Sequence, residues 1–333
     1  MYFFNQPLID YAVEYFRQVD FTDPAQGDGF WGIFAPGNTI YISDRPYERL
    51  SDYEGMLRLL RAADQAKYEL MHKGTSFYIM SWLAFDLRNY EKALFYIDAG
   101  VSEDVRKTEN TPTPDSWKAQ PGTDFLRLQQ GNAVAGRAID KVRLILGEEL
   151  TRFNRISGRP PLTIDDVIRF VVLFLNATER TIISALYIFV MESRERIEEL
   201  TFRQGSRGGS NQPFTVHLLT GSLLFESLLK HFYPQSKISK NWTLNDVLQH
   251  TDFRKDLNVP ANQGASASTL QEIYDAIKGS NTAETAISTA AKLRNTTGHN
   301  LVWDDLFSNP VIYRALFEQV MNAILYVVDA KGR

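Results

Sequence analysis

An arginine and a histidine stand close together in the segment Arg294–His299, which has the sequence RNTTGH. A guanidinium group offers a permanent cation and several N–H donors that match the oxygens of a phosphate. An imidazole titrates near neutral pH, so it can accept a proton and later return it. Together the two side chains could cleave a phosphodiester without a metal ion. Because an Arg-x4-His spacing also arises by chance, its surroundings must decide whether it marks a site.

The segment lies where an amphipathic helix is predicted to end. Asn281–Glu284 has the composition of an N-terminal capping box, and apolar residues then recur at helical spacing as far as Leu293. Arg294 continues this stripe, where a guanidinium costs free energy unless it is paired or used. Gly298 is typical of a helix end and would let His299 turn back toward the arginine. The alternative is structural, because an arginine in a last turn complements the helix dipole and a histidine after a glycine can bond a carbonyl.

Length and composition indicate two mainly helical domains. The chain has 333 residues, and 44% of them are hydrophobic, which is enough to form two cores. We place the boundary in the Gly- and Pro-containing segment 157–161, between an N-terminal helical domain of residues 1–156 and a helical bundle of residues 160–333. The absence of cysteine excludes disulfides, thiolate metal sites and cysteine nucleophiles, and it favours a cytoplasmic protein.

Charge and hydropathy limit the partners that we expect. The formal net charge is −4 and neither half of the chain is basic overall, so contact with nucleic acid has to come from a local patch of cations. The N-terminus lacks the basic and apolar regions of a signal peptide. No uncharged apolar run approaches the length of about 18 residues that a membrane span needs, so we expect no membrane association.

The N-terminal half is predicted to be helical apart from one small irregular or β element. Residues 20–50 mix glycines and prolines with aromatic residues, which is typical of short strands or a hairpin. Helical periodicity then predicts helices over residues 52–71, 76–87 and 90–99. The segment 77–94 resembles a tetratricopeptide helix pair. Because three or more such units are needed for a solenoid, we expect a single helical hairpin.

The rest of the chain is predicted to be helical as well. Periodicity predicts helices over residues 125–153, 163–200, 214–232, 244–249 and 269–277, then the motif helix and a closing helix from Pro310 to about residue 329. The segment 203–212 contains three glycines together with Arg203 and Arg207. It lacks the Lys-Ser/Thr ending of a P-loop, so the alternatives are a weak RNA or phosphate contact and a flexible connector.

Three features of the second half together resemble the HEPN superfamily. They are the long helix that starts at Thr163, the next helix with Phe225–Lys230 (FESLLK), and the helix that ends in Arg294-Asn295-x3-His299 before a closing helix. HEPN domains are four-helix up-and-down bundles that occur in ribonuclease toxins, abortive-infection proteins and effectors of prokaryotic immunity. The resemblance covers residues 160–333 and implies that fold there.

The resemblance also implies a reaction. HEPN bundles usually pair so that two motifs face one cleft, which implies a homodimer. The 2′-hydroxyl of single-stranded RNA would attack the neighbouring phosphorus, with His299 as general base or acid. Arg294 would neutralise the charge that develops on the phosphorane, and Asn295 would orient the phosphate or the imidazole. No metal or cofactor is implied, and the products would carry a 2′,3′-cyclic phosphate and a 5′-hydroxyl.

Some polar residues on the predicted helices have two interpretations. Glu226 interrupts an apolar helix, where it either pairs with Arg294 and orients it or lies exposed between apolar neighbours. His217 and His231 either take part in the site or make satisfied structural bonds. Position along the chain does not distinguish these alternatives.

The leading hypothesis is a metal-independent endoribonuclease that acts as a toxin or antiviral effector. Uncontrolled RNA cleavage would harm the host, so we expect the N-terminal domain to be a sensor or regulator that a protein or nucleotide activates. One alternative is a non-catalytic helical scaffold that binds a protein or RNA. Another is a HEPN protein that binds nucleotide or RNA without cleaving it.

Overall fold

The structure is a computed structural model of the chain. It describes residues 3–23, 26, 45–129, 136–175, 179–203, 212–233, 244–259, 269–297 and 310–333. Within these ranges the chain forms fifteen α-helices and one 3₁₀ turn and contains no strand, which confirms the mainly α fold class. Most of the predicted irregular or β element, residues 24–25 and 27–44, lies outside the described residues.

The chain forms two compact units, residues 1–140 and 141–333. The helices of the first unit are α1 (Gln6–Gln18), α2 (Pro46–Ala63), α3 (Gln65–Leu70), α4 (Gly74–Asp86), α5 (Tyr90–Thr108) and α6 (Pro121–Leu126), with a 3₁₀ turn at Ser116–Ala119. Helix α7 (Gly136–Ser157) starts in the first unit and continues in the second. The second unit then contains α8 (Ile164–Val172), α9 (Arg180–Arg203), α10 (Gln212–Phe232), α11 (Leu244–Leu248), α12 (Thr251–Leu257), α13 (Leu270–Ile277), α14 (Ala283–Thr297) and α15 (Pro310–Lys331). The segment 157–161, predicted as a domain boundary, joins α7 to α8 inside this unit.

Helices α4 and α5 form the helical hairpin that the sequence predicts over residues 77–94. Arg88 adopts a left-handed backbone conformation with φ of 57°, which turns the chain between the two helices. Asn89 caps α5, because its side-chain oxygen accepts a hydrogen bond of 3.1 Å from the backbone N–H of Lys92. Helix α5 continues to Thr108, beyond the predicted end at residue 99.

Side-chain caps define where helices of the second unit begin. Thr163 and Asp166 form a reciprocal capping box at the start of α8, as the sequence predicts. At α14 the hydroxyl of Thr282 accepts a hydrogen bond of 3.2 Å from the backbone N–H of Thr285. These bonds satisfy amide groups that have no partner within the first turn of a helix.

Three helices that the sequence predicts as continuous are interrupted. The helix predicted over residues 52–71 is divided at Asp64, whose extended backbone ends α2 and whose side chain caps α3. Leu128 has a φ of 52°, which ends the short helix α6 and separates it from α7. After α8, the backbone N–H of Leu173 bonds the carbonyl of Phe170, and the two following N–H groups also bond three residues back instead of four. These breaks depend on local backbone geometry, which the spacing of apolar residues does not reveal.

Helices α9, α10, α14 and α15 form the core of the second unit, where α10 packs against the other three and α15 also packs against α9 and α14. Helices α9 and α10 are antiparallel, because Phe189 stacks on His217 while Glu179, just before α9, meets His231 at the opposite end. Gly221 of α10 allows this close approach, since a Cβ atom there would overlap the ring of Phe189.

The other two helices of the group differ in direction. Helices α10 and α15 are parallel, because Tyr313 meets His217 near their starts and Lys331 lies over the ring of Tyr233 just beyond the end of α10. Helix α14 packs against both of them. The side chain of Gln319 on α15 contacts the segment just before α14, and Arg294 in the last turn of α14 reaches α10.

Among the described residues, one helix is long and apolar enough to cross a membrane by length and composition alone. It covers Val311–Lys331 of α15. Within the protein, 72% of its most apolar stretch is buried. The feature is therefore weak evidence for a membrane span.

Candidate functional site

The candidate site combines residues of α10 and α14. Glu226 lies on the buried face of α10, and only 4% of its surface is exposed. On α14 the predicted apolar stripe is buried, including Ala290 and Leu293. Arg294 follows at the edge of this stripe and keeps 37% of its side-chain surface exposed. The arginine therefore has one side against the protein and one side toward solvent.

Glu226 binds two cations. Arg294 Nε donates a hydrogen bond of 2.7 Å to Glu226 Oε2, and Lys230 Nζ donates one of 2.6 Å to Glu226 Oε1. Each carboxylate oxygen thus accepts a charge-assisted bond, which compensates the buried negative charge. Of the two interpretations of Glu226, the structure shows the one in which the carboxylate pairs with Arg294.

The two cations keep Glu226 ionised. Burial by itself raises the pKa of this carboxyl group, because it disfavours the charged form. The hydrogen bonds and positive charges of Lys230 and Arg294 outweigh that effect, so the pKa of Glu226 is lowered from its ordinary value of 4.5. At neutral pH Glu226 is therefore an anion that holds Arg294 in place.

Among the described residues, the outer N–H groups of Arg294 make one bond, to Asn295. Its Nη1 atom donates a bond of 3.3 Å to Asn295 Oδ1, which places the second residue of the motif beside the guanidinium. Its Nη2 atom has no partner among the described residues. Because the carboxylate binds through Nε, the outer edge of the fork can donate to an anion such as a phosphate.

The described part of the motif ends at Thr297, the last residue of α14. The hydroxyl of Thr297 donates a hydrogen bond to the backbone carbonyl of Leu293 inside the same helix. Gly298 and His299 lie outside the described residues. The predicted approach of His299 to Arg294 therefore stays a prediction.

The two arginines of the glycine-containing segment are not brought to this site by anything that the structure describes. Arg203 is the last residue of α9, and its side chain is outside the described part. Arg207 lies in the segment 204–211, which is also outside it. Their predicted contact with RNA stays a prediction.

His217 is a structural residue in the core of the second unit. Its Nε2 atom lies 2.8 Å from the carbonyl oxygen of Phe189, which can only accept, so Nε2 carries the proton. The hydroxyl of Tyr313 donates to Nδ1 over 2.7 Å. Burial lowers the pKa of His217 to about 3, outweighing the bond to Phe189 that raises it, so the ring is neutral. His231 pairs with Glu179 at 3.1 Å.

Lys230 belongs to the site although its role is not evident in the sequence motif. It follows Glu226 by four residues, and this is the spacing at which helical side chains of opposite charge meet. That spacing is the signal that identifies it. Among the described residues, no group of three or more His, Cys, Asp or Glu side chains could hold a metal ion.

The described residues define a mainly α-helical protein in which a buried glutamate holds an arginine at the end of a core helix. No family model matches the chain. No curated protein and no solved structure matches it either. The function therefore has to be argued from the site.

Proposed function

We propose that this chain is a metal-independent endoribonuclease of the HEPN type that cleaves single-stranded RNA. The observation that carries the proposal is the bond of 2.7 Å between Arg294 and Glu226. It orients a partly exposed guanidinium next to Asn295, at the end of the helix that carries the Arg-Asn-x3-His sequence. An arginine held through Nε is ready to bind a phosphate without first adopting a new rotamer.

In the proposed reaction the RNA supplies its own nucleophile. His299 removes the proton from a 2′-hydroxyl group, the oxygen attacks the adjacent phosphorus, and the bond from phosphorus to the 5′-oxygen breaks. The outer N–H groups of Arg294 stabilise the phosphorane, and Asn295 orients the phosphate or the imidazole. The leaving 5′-oxygen takes a proton from the protonated imidazole or from water, so the products carry a 2′,3′-cyclic phosphate and a 5′-hydroxyl.

The proposal includes an arrangement for residues 160–333 and a role for the rest of the chain. Helices α9, α10, α14 and α15 are the elements of a HEPN-like four-helix bundle, and two copies pair so that both motifs face one cleft. The N-terminal half restrains the site until a protein or nucleotide activates it. This suits a cytoplasmic toxin or antiviral effector with no membrane association.

The test compares wild-type protein with His299→Ala and Arg294→Ala on labelled single-stranded RNA and on DNA of the same sequence, in the presence of a chelator. We expect RNA to be cleaved and DNA to survive, because DNA lacks the 2′-hydroxyl. Both variants should be inactive, and the 3′ products should carry cyclic phosphate. If cleavage stops in the chelator, or if DNA is also cut, the proposal is wrong.

Restraint by the N-terminal half needs its own control. If full-length protein is inert, cleavage is measured in cells that express wild type or His299→Ala, where an activator is present. Damage to cellular RNA by wild type alone supports the proposal. Equal, intact RNA in both strains contradicts it.

The same ion pair also favours a second candidate function, a non-catalytic helical scaffold. Glu226 joins α10 to α14, and a contact of this kind can serve packing alone. In the N-terminal unit, Phe95 on α5 of the tetratricopeptide-like hairpin is 65% exposed, which suits a partner surface. For a scaffold, Arg294→Ala changes the free energy of unfolding and has no effect on RNA, whereas Phe95→Ala weakens capture of the partner.

A further inference from the structure

An arginine-lined cleft lies in the second unit, apart from the residues of the Arg294 site. It has a volume of about 870 Å³ and runs between α7 and the first turns of α15. Arg143, Arg152 and Arg155 line it from α7, and Arg314 lines it from α15. Glu148 and Glu318 are the acidic residues of the lining. Counting Glu149, which binds Arg152, four cations against three anions leave a local positive surface on a chain whose net charge is −4.

Two of these arginines are held in place by carboxylates. Arg152 donates from Nε to Glu149 Oε2 over 2.9 Å, and only 12% of its side chain is exposed. Arg314 donates from Nε to Glu318 Oε1 over 2.8 Å and keeps 47% of its side chain exposed. Glu318 Oε1 also lies 4.0 Å from Arg152 Nε, so one carboxylate stands between two guanidinium groups. Such fixed guanidinium groups lose little conformational entropy when they bind an anion.

Arg155 supplies the cation that is not compensated. Its side chain is exposed and has no partner among the described residues, one turn beyond Arg152 on the same face of α7. The cleft follows this face from Arg143 to Ile156, which corresponds to roughly 20 Å at 1.5 Å per residue. Gly147 lies in the middle of this stretch, and a Cβ atom there would meet nothing, so the floor of the cleft is open.

The shape and lining favour an extended polyanion. Pockets for small molecules are mostly apolar and enclose their ligand. Here the described lining is dominated by charged side chains, and Leu144 and Ile156 are its large apolar members. Among the described residues no aromatic side chain lines the cleft, so these residues offer nothing for a base to stack on. Such a surface contacts phosphates and does not read sequence.

We propose that this cleft binds the sugar-phosphate backbone of single-stranded RNA. The inference takes its ligand from the proposed function and adds the surface that holds the strand outside the reacting phosphate. Arg314 is a preset donor, whereas Arg152, whose Nε and Nη2 already bind Glu149 and the carbonyl of Glu318, adds mainly positive charge. Arg155 provides the largest electrostatic attraction. Glu148, which pairs with Arg194, opposes binding. A chain without a basic domain needs a local patch of cations to bind nucleic acid. In this proposal the patch is formed by α7 and α15.

The test measures binding of a fluorescent 2′-O-methyl oligonucleotide to the full chain, because the blocked 2′-oxygen prevents cleavage. We expect Arg155→Ala to weaken binding about fivefold or more and to lower the slope of log affinity against log salt by about 0.7, the value for one phosphate contact on a single strand. Glu148→Gln should tighten binding about twofold, because it removes a negative charge from the cleft. Arg61→Ala, an exposed arginine on α2 in the other unit, is the matched control and should bind as wild type does.

Three results would contradict binding of an RNA backbone in this cleft. If Arg155→Ala binds the oligonucleotide as wild type does, the proposal is overturned. It is also overturned if ATP or pyrophosphate binds as tightly as the oligonucleotide in an Arg155-dependent way, or if poly-glutamate displaces the oligonucleotide equally well. Circular dichroism of Arg155→Ala establishes that the variant is folded.

The result is independent of the ribonuclease proposal. Arg155-dependent binding without RNA cleavage would leave the cleft assignment standing and contradict only the catalytic one. If the protein cleaves RNA and all cleft variants bind the oligonucleotide normally, the catalytic proposal stands and the cleft assignment is contradicted.

Discussion

Arg294 Nε lies 2.7 Å from Glu226 Oε2, and this bond links α14 to α10 in the core of the second unit. The same type of contact occurs in the arginine-lined cleft, where Arg314 Nε lies 2.8 Å from Glu318 Oε1. In both places the carboxylate takes the inner nitrogen of the guanidinium group. The two outer nitrogens, which form the fork that suits a phosphate, are on the far side of that contact.

Replacing Glu226 with Gln should lower both stability and RNA cleavage. The amide keeps the shape of the side chain but leaves Arg294 and Lys230 without their anion. Because those two cations keep 37% and 42% of their side-chain surface exposed, we expect a modest loss of about 1–2 kcal/mol in the free energy of unfolding. Urea unfolding measures the loss. Lys230→Gln is the control and should cost less, because Glu226 then still binds Arg294.

The effect of Glu226 on stability should depend on pH. Its pKa is lower in the folded protein than the ordinary value of 4.5, so its contribution is present above that value and is lost as the pH falls through the folded pKa. The difference in unfolding free energy between wild type and Glu226→Gln should therefore shrink as the pH is lowered from 7 to about 3. A difference that stays constant over this range would mean that the carboxylate is not held by its two cations.

Replacing Arg294 with Lys should separate catalysis from packing. Lysine keeps a positive charge near Glu226, so we expect the free energy of unfolding to change by less than about 1 kcal/mol. Lysine has a single side-chain nitrogen, whereas arginine can bind Glu226 through one nitrogen and a phosphate through the others. RNA cleavage should therefore fall by roughly 100-fold. Kinetics on labelled RNA and urea unfolding of the same preparation measure the two effects. Wild-type cleavage by this variant would exclude the proposed role of the guanidinium group.

His217 should stay neutral throughout the physiological pH range. Its pKa is lowered to about 3 by burial, whereas the unfolded chain titrates near 6.5. The unfolded state therefore takes up a proton first, and the stability that the neutral ring provides is lost as the pH falls from 6.5 toward 3. Nuclear magnetic resonance should show no titration of the His217 ring between pH 5 and 8 in the folded protein. The same ring should titrate in denaturing urea, and a folded-state midpoint near 6.5 would contradict the assignment.

Two helical glycines should respond in opposite ways to replacement by alanine. A Cβ atom at Gly147 meets nothing, so Gly147→Ala should raise the free energy of unfolding by about 0.5–1 kcal/mol through helix propensity. A Cβ atom at Gly221 would overlap the ring of Phe189, so Gly221→Ala should be destabilising by about 1–3 kcal/mol. Urea unfolding of the pair measures both signs. Equal effects at the two positions would mean that α9 and α10 do not pack as described.

The sequence predicts the helical class and many helix starts because caps and apolar periodicity are local signals. Thr163 with Asp166 is an example. The same reasoning missed α1, although Asn5 and Pro7 are a cap and an early-helix proline of the expected kind. Apolar periodicity also predicted one helix over residues 125–153, which would include Leu128. The left-handed backbone of Leu128 ends a helix there, and the spacing of apolar residues does not reveal such a conformation.

The sequence predicts some contacts of the two sites and not others. Lys230 could have been paired with Glu226 from their spacing, since both are on one helix. The contact of Glu226 with Arg294 joins residues of separate helices, so it remained one of two alternatives until the packing was seen. The cleft was not predicted at all. Arg314 lies on α15, and the periodicity of apolar residues cannot show that α15 packs against α7.

The hydrogen bonds of His217 also limit how the core helices can move. Phe189, His217 and Tyr313 lie on three different helices, and two hydrogen bonds of the buried imidazole join them. Apolar side chains alone would tolerate a shift of α10 by one turn, but such a shift would break both hydrogen bonds of the buried imidazole. The imidazole thus fixes the axial position of α10 relative to its neighbours. Because Glu226 is on the same helix, its position relative to the arginine of α14 is fixed as well.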